Sequence, residues 1–235
     1  MGALLKLAVS CGYGALREIR NLGAAAVVGF GLAGAASAEP VTLVVLGDSL
    51  TQGYGLAPTD GFVSQMAARL EDEGAEVDLR NAGVSGDTTA GGLARIDWSL
   101  DDDVDGLIVA LGGNDLLRGL DPAASRANLK GILEAAGARD LPVLLVGMEA
   151  PGNFGPEYKA AFDNMYPELA AEFGALHFPN FLQGLAELED RAAAIETYFQ
   201  ADRIHPNRDG VALIVAAMGP AFLELAQAAG GKITH

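Results

Sequence analysis

The sequence predicts a three-layer α/β/α domain, and three observations support this fold class. Stretches rich in β-branched and apolar residues alternate with stretches whose apolar residues recur every three to four positions. Repeated strand–helix units form a parallel sheet that helices cover on both faces through right-handed crossovers. A length of 235 residues, 50% of them hydrophobic, suits one globular domain with a sizeable core.

The first predicted strand is the apolar run 41–46, which ends abruptly in Gly47-Asp48-Ser49. Glycine lets the backbone turn where a Cβ would clash. We therefore expect Ser49 at the carboxyl edge of a buried strand, where open α/β sheets bind ligands. The remaining strands are predicted, in order, at residues 76–81, 106–111, 142–148 and, weakly, 175–178.

Helices are predicted between these strands. Phe62, Met66 and Leu70 share one helical face, and Gly74 ends that helix. Asp121 and Pro122 form an N-cap and first-turn proline. The predicted helices cover residues 61–74, 87–100, 122–139 and 157–173, followed by a last helix that starts at 204–207 and kinks at Pro220.

The first 38 residues have the pattern of a secretory signal peptide. Arg17 and Arg20 precede the apolar run 22–38, which ends in the small residues Ala36-Ser37-Ala38. Cleavage after Ala38 would leave an exported, periplasmic domain of residues 39–235 with no stable membrane span. The alternative is that the leader is retained as an anchor, although the apolar run is short for a span.

Charge and cysteine content exclude several classes of protein. The sequence has 31 acidic and 15 basic residues, a net charge of −16, which repels phosphate backbones and excludes nucleic acid as a partner. Cys11, the only cysteine, lies in the leader, so the mature domain has no disulfide and no thiol nucleophile. The acidic run 101–105 is expected to be a solvated loop because its spacing fits no calcium loop.

A serine nucleophile needs a base, and the sequence has three histidines. His235 is terminal, and His177 in the weak fifth strand is expected to be structural. His205 follows Asp202 by three residues, which lets the carboxylate reach Nδ1 and leaves Nε2 to accept a hydroxyl proton. Ser49, Asp202 and His205 are therefore the candidate catalytic residues.

Acyl transfer also needs hydrogen-bond donors where negative charge develops. Gly83 and Asn114 follow the second and third predicted strands, whose ends share an edge with Ser49. Each could be an ordinary turn residue. Together with the Ser49 amide, they are the candidate oxyanion hole.

Ser49, Gly83, Asn114 and His205 match, in order, the four blocks that name the SGNH (GDSL-type) hydrolase superfamily. The runs 47–55, 81–89 and 205–207 resemble its bacterial thioesterase I/arylesterase branch. The resemblance implies a flavodoxin-like sheet of five parallel strands and no metal or organic cofactor. It also implies a small-molecule or lipid substrate, namely a carboxylic ester, an acyl thioester or a lysophospholipid.

The substrate pocket is expected to be shaped by loops 54–60 and 152–156, with Tyr54, Asn153 and Phe154 as substrate-binding residues. Relatives of the thioesterase type often carry a basic residue where this chain has Glu149. An acidic side chain there disfavours anionic leaving groups and favours neutral or aryl esters.

Two other functions remain open. Within the same superfamily, the substrate could be O-acetyl groups on envelope polysaccharide. In a different class, residues 83–89 could cradle an anion at a helix N-terminus in a non-catalytic exported module. The segment lacks the lysine of a phosphate-binding loop, and Asp87 would repel the anion.

Overall fold

The computed structural model describes residues 40–233, so the leader predicted over residues 1–38 and His235 lie outside the described residues. The fold is a parallel five-stranded sheet with the order β2-β1-β3-β4-β5. The strands are β1 (Val41–Gly47), β2 (Val77–Gly83), β3 (Gly106–Ala110), β4 (Val143–Val146) and β5 (Leu176–Phe178). This confirms the predicted three-layer α/β/α class and all five predicted strands.

Helices cover both faces of the sheet, and short helices lie at its carboxyl edge. They are α1 (Ser49–Gln52), α2 (Phe62–Asp72), α3 (Thr89–Ser99), α4 (Gly113–Leu117), α5 (Pro122–Gly137), α6 (Pro156–Phe173), α7 (Gln183–Ala186), α8 (Arg191–Tyr198) and α9 (Arg208–Ala228). Asp121 caps α5 through its side chain, as its sequence position predicts.

Strand β1 lies inside the sheet, between β2 and β3, and all seven of its residues are buried. Its last residue, Gly47, pairs with Gly83 of β2 on one side and with Ala110 of β3 on the other. The three strands therefore end at the same edge. The connections that leave them meet at the point where the strand order reverses, which is where open α/β sheets form ligand sites.

Alternate residues of β1 pack into two separate cores. Leu43 and Val45 belong to a core formed with α2 and α9. Val44 and Leu46 belong to a core formed with α3, α5 and α6. Full burial of one such side chain contributes about 1.5–3 kcal/mol. The sheet edge that carries the site is thus held from both faces.

Helix α9 is the one helix among residues 40–233 that is long and apolar enough to cross a membrane. In this fold it is a core helix, with nine buried residues that include Val211, Met218 and Phe222. Asn207 caps its start, and the helix continues through Pro220 to Ala228.

The segment 179–200 contains two helices, α7 and α8, that the sequence pattern does not predict. Each buries a single side chain, Leu185 in α7 and Ala194 in α8. Asp190 caps α8 by accepting from the amides of Ala192 and Ala193. With so few apolar positions, these helices show no amphipathic period in the sequence.

Candidate active site

Ser49 is the first residue of α1, directly after β1. Asp48 precedes it as the N-cap, and Asp48 Oδ1 accepts from the amide of Leu50 at 3.0 Å. The short helix and its cap fix the direction of the Ser49 side chain. Ser49 Oγ lies 2.8 Å from Nε2 of His205, which is 156 positions away in the chain.

The other ring nitrogen of His205, Nδ1, lies 2.6 Å from Oδ2 of Asp202. The second oxygen of Asp202 accepts from the backbone amides of Ile204 and His205, both at 3.0 Å. Partial desolvation opposes ionisation of Asp202, but these hydrogen bonds outweigh it and lower the pKa of Asp202 to about 2. The structure therefore joins an ionised carboxylate, an imidazole and a hydroxyl in series.

Backbone interactions hold together the two ends of the turn that carries His205. Phe199 and Pro206 form an antiparallel bridge, and the amide of Gln200 donates to the carbonyl of His205 at 2.8 Å. Gln200 Nε2 also donates to the carbonyl of Tyr54 at 2.8 Å. The Tyr54 ring packs on the His205 ring with 4.6 Å between centroids. Gln200 and Tyr54 thus connect the histidine turn to the turn that follows α1.

His177 lies in β5, outside this arrangement. Burial lowers the pKa of the His177 imidazole. Its buried Nε2 has no hydrogen-bond partner within residues 40–233. This environment agrees with the predicted structural role and provides no hydroxyl to deprotonate.

Asn114 lies in the first turn of α4, after β3. Its Nδ2 donates to Oδ2 of Asp48 at 3.2 Å. An amide nitrogen has two hydrogens, so one donor remains for another acceptor. The structure therefore links Asn114 to the residue that precedes Ser49, in agreement with the prediction that both lie at one edge.

Gly83 differs from its predicted role as a donor. Its amide donates to Oδ1 of Asn81 at 2.9 Å, so the hydrogen bond is made within β2. A Cβ on Gly83 would clash with the backbone nitrogen of Gln52. Glycine is needed here because the backbone of α1 packs directly against β2. The amide of Gly83 is thus not available to a substrate oxygen, which corrects that part of the predicted oxyanion hole.

Gly86, three residues further on, has the free backbone amide that Gly83 lacks. Its φ of +83° is in the left-handed region that favours glycine. Its amide has no partner in the part of the chain that the structure describes. Its carbonyl accepts from Nη2 of Arg118, just after α4, at 2.8 Å. Ser85 is hydrogen-bonded to Gln52 of α1. The connection of residues 84–88, called the Gly86 loop below, therefore lies between the helices that carry Ser49 and Asn114.

The Ser-Gly-Asp run at 85–87 was the available signal for Gly86, since glycine before an aspartate is typical of a tight turn. Sequence reasoning also missed Arg95. Its Nε contacts Oδ2 of Asp87 at 2.7 Å, and its Nη2 donates to the carbonyl of Gly47 at 3.0 Å. This guanidinium joins the end of β1 to the Gly86 loop.

Most exposed large apolar side chains surround this edge. Of the seven among residues 40–233, five follow a strand end by ten residues or fewer, Ile204 directly precedes His205, and Trp98 lies near the far end of α3; the five are Tyr54, Val84, Leu117, Leu120 and Phe154. Phe154 packs on Tyr158 with 4.9 Å between ring centroids, and Asn153 is exposed beside it. The rim is thus apolar, while contact of Tyr54, Asn153 and Phe154 with substrate stays a prediction.

Glu149 does not stand alone at this rim. Lys159 Nζ contacts Oε1 of Glu149 at 2.9 Å and Oδ2 of Asp163 at 2.7 Å, and it donates to the carbonyl of Ala150. The group keeps one net negative charge.

Within residues 40–233 no cluster of three or more histidine, cysteine, aspartate or glutamate side chains could hold a metal ion.

The fold and the chemistry at its edge are those of an ester hydrolase. The chain belongs to the GDSL-like lipase/acylhydrolase family, whose sequence profile matches residues 45–213. It is 41% identical over 166 residues to esterase TesA of Pseudomonas aeruginosa, an alignment that covers 70% of this chain and 79% of that protein.

Two further comparisons agree with membership of this family of ester hydrolases. The chain is 35% identical over 169 residues to thioesterase 1/protease 1/lysophospholipase L1 of Escherichia coli strain K12, covering 72% of this chain and 76% of that protein. The solved structure of AlinE4, an SGNH-hydrolase family esterase, matches with a TM-score of 0.65 and 42% identity, covering 80% of this chain and 97% of that one. These findings confirm the predicted superfamily, its thioesterase I/arylesterase-like branch and carboxylic ester hydrolysis.

Proposed function

We propose that the protein is a serine esterase that hydrolyses carboxylic esters through an acyl-enzyme, with Ser49, His205 and Asp202 as its catalytic triad. The observation that carries this proposal is the unbroken series Asp202–His205–Ser49, with separations of 2.6 and 2.8 Å. An ionised carboxylate holds Nδ1 protonated, so Nε2 faces the hydroxyl as a base.

In the first step Ser49 Oγ attacks the ester carbonyl carbon while its proton moves to Nε2 of His205. The tetrahedral intermediate collapses when the bond to the alcohol oxygen breaks and His205 returns the proton to that oxygen. In the second step His205 takes a proton from water, which attacks the acyl-enzyme. Collapse of the second intermediate frees the acid and restores Ser49.

The oxyanion that forms in both steps needs donors that are in place beforehand. The backbone amides of Ser49 and Gly86 have no partner within residues 40–233, and Asn114 Nδ2 has one hydrogen left after bonding to Asp48. These three donors are assigned to the oxyanion hole, with Gly86 in place of Gly83.

The assigned substrates are uncharged acyl or aryl esters. The apolar rim favours an apolar acyl chain or aryl group, and the net negative charge near Glu149 disfavours an anionic leaving group. The similar proteins named thioesterase and lysophospholipase support thioesters and lysophospholipids as further candidates.

Covalent labelling and a substrate panel test the proposal. A fluorophosphonate probe should label the wild type and Ser64→Ala, a matched change of an exposed serine, but not Ser49→Ala. The panel compares aryl esters, acyl thioesters, a lysophospholipid and acetylated glycan, with Ser49→Ala as the blank. Labelling that survives in Ser49→Ala would refute the nucleophile assignment. Absence of labelling in all three proteins would favour the anion-binding module.

Export is part of the proposal and rests on the leader pattern of residues 1–38. Removing Lys6, Arg17, Arg20 and Glu18 with the leader leaves 12 basic and 30 acidic residues in the mature domain. Mass spectrometry of the full-length gene product from the periplasmic fraction should find Glu39 at the N-terminus. An intact leader in the membrane fraction would show that it is an anchor.

A further inference from the structure

Asp48 is a buried carboxylate beside the nucleophile, and the proposed triad chemistry does not use it. Its exposed fraction is 3%, and it forms no ion pair with any residue between 40 and 233. Each of its oxygens accepts one hydrogen bond, Oδ1 from the Leu50 amide and Oδ2 from Asn114 Nδ2. An unpaired buried carboxylate is destabilising, so a retained one calls for a functional explanation.

The chemistry of the two groups determines which way the Asn114 amide points. An ionised carboxylate only accepts hydrogen bonds, whereas the end of an asparagine side chain is a donor on one side and an acceptor on the other. Only Nδ2 can therefore face Asp48. The second hydrogen of that same nitrogen is the one assigned to the oxyanion. Rotating the amide by 180° would replace this donor with an oxygen that repels the oxyanion.

The surrounding backbone leaves the carboxylate little freedom. A Cβ at position 113 would lie 3.1 Å from Asp48 Oδ2, so a side chain there would press on the carboxylate. The helix-capping bond to Leu50 holds the other oxygen. Asp48 is thus fixed from two sides while it contacts Asn114.

We propose that Asp48 is a positioning residue that orients the Asn114 amide, so that Nδ2 rather than Oδ1 faces the oxyanion of the tetrahedral intermediate. This inference rests on the proposed function, since it assigns how one oxyanion donor of that site is aligned. Asp48 itself touches neither the substrate nor the reacting atoms.

Asp48→Asn tests the proposal because it changes the charge and one acceptor while keeping the shape. The Leu50 amide and Asn114 Nδ2 bind different oxygens of Asp48, so the single oxygen of the asparagine can replace only one of them. If it keeps the capping bond to Leu50, the new NH₂ faces Asn114 and the Asn114 amide rotates. Loss of one oxyanion donor lowers turnover about 10²–10³-fold. We expect this loss in kcat, whereas KM should change less than about threefold. The reason is that the hydrogen bond from Asn114 to the oxyanion forms only in the transition state.

A double-mutant cycle separates positioning from general damage. If Asp48 acts through Asn114, Asp48→Asn/Asn114→Ala should match Asn114→Ala alone within about threefold, because the orientation of an absent amide is irrelevant. Multiplied losses in the double variant would overturn the proposal. Gly113→Ala is a second test that remains if Asp48→Asn does not fold. Its new methyl group presses on the same carboxylate without altering the charge. The kcat loss that it causes should likewise disappear when it is combined with Asn114→Ala.

Asp105→Asn is the matched control. Its carboxylate accepts from the Thr42 amide at 2.8 Å at the opposite end of β1, so this variant alters a carboxylate–backbone bond away from the site. Its kcat should equal that of the wild type. Failure of the proposed function would show separately, as hydrolysis that persists in Ser49→Ala. An unchanged kcat in Asp48→Asn, with Ser49→Ala inactive, would overturn the positioning role alone.

Discussion

Asp202 and His205 are joined by two hydrogen bonds, because the carboxylate accepts from the His205 amide at 3.0 Å and contacts ring Nδ1 at 2.6 Å. Asp202→Asn preserves the first bond but turns an NH₂ towards Nδ1. The ring then carries its proton on Nε2 and cannot act as a base. We expect kcat to fall about 10³–10⁴-fold, by analogy with other triads. Asp209→Asn, on the nearby first turn of α9, is the control, and a loss below tenfold would contradict the triad.

Asp48→Asn should also change stability, in a direction that depends on pH. Burial raises the pKa of Asp48 from 3.8 to about 6. The folded protein therefore holds this proton more tightly than the unfolded chain, and stability is lost as the pH rises through 6. The free energy of unfolding of the variant minus that of the wild type should therefore increase by about 2 kcal/mol between pH 4.5 and pH 7.5.

Urea denaturation of both proteins at these two pH values measures the difference. His205 and Asp87, which act electrostatically on Asp48, are present in both proteins, and so is Arg95, which pairs with Asp87. The stabilising contribution of Asp202, whose pKa is lowered, is lost only as the pH falls from 3.8 towards 2. A pH-independent difference would show that Asp48 is not the titrating group.

Tyr54→Ala should weaken catalysis because the Tyr54 ring packs on the His205 ring with 4.6 Å between centroids, and half of its surface is exposed beside the proposed triad. An aromatic contact contributes about 0.5–1.5 kcal/mol, so kcat/KM for an aryl ester should fall about 2–12-fold. Tyr54→Phe keeps the ring and should retain wild-type activity. Equal losses in both variants would assign the effect to the hydroxyl.

Glu149→Gln should improve the hydrolysis of substrates with anionic leaving groups. It removes one charge from the Glu149, Lys159 and Asp163 group and leaves it neutral. The kcat/KM for an acyl-coenzyme A should rise about two- to fivefold at low ionic strength, and the gain should disappear in high salt. A neutral thioester with the same acyl chain is the control. Equal gains for both thioesters would exclude an electrostatic cause.

Asp140→Gly should stabilise the protein without affecting the site. Asp140 has a φ of +55° and lies three residues after the last residue of α5, so it brings a negative charge close to the negative end of the helix. Relief of both effects should raise the free energy of unfolding by about 1 kcal/mol, as measured in urea. Asp140→Ala removes only the charge and keeps the strained φ, so it should be less stable than Asp140→Gly. The reverse order would contradict the backbone explanation.

Much of this architecture could be predicted because it depends on local patterns. The buried run of β1, the proline-initiated α5 and the amphipathic α2 each bury enough apolar residues to produce a clear period. The pairing of Asp202 with His205 could be predicted because it spans three residues. Helices α7 and α8 bury only one side chain each and produce no such signal.

The details of the site depend on contacts between distant residues. Gly83 is the last residue of β2 and Gly86 follows it by three positions, and the two look alike in the sequence. Only the hydrogen bond from Gly83 to Asn81, and the contacts of the Gly86 loop with Arg118 and α1, distinguish them. Asp48 is similar, since its burial and its bond to Asn114, 66 residues away, are set by how β1 and β3 align.

The 156 residues that separate Ser49 from His205 have a consequence during synthesis. The serine leaves the ribosome with the first strand, whereas the histidine that we propose as its base follows only after all five strands have been translated. A nascent or truncated chain therefore has a hydroxyl without a proton acceptor. Under the proposed mechanism, ester hydrolysis therefore cannot begin until residue 205 has been synthesised and has packed beside residue 49.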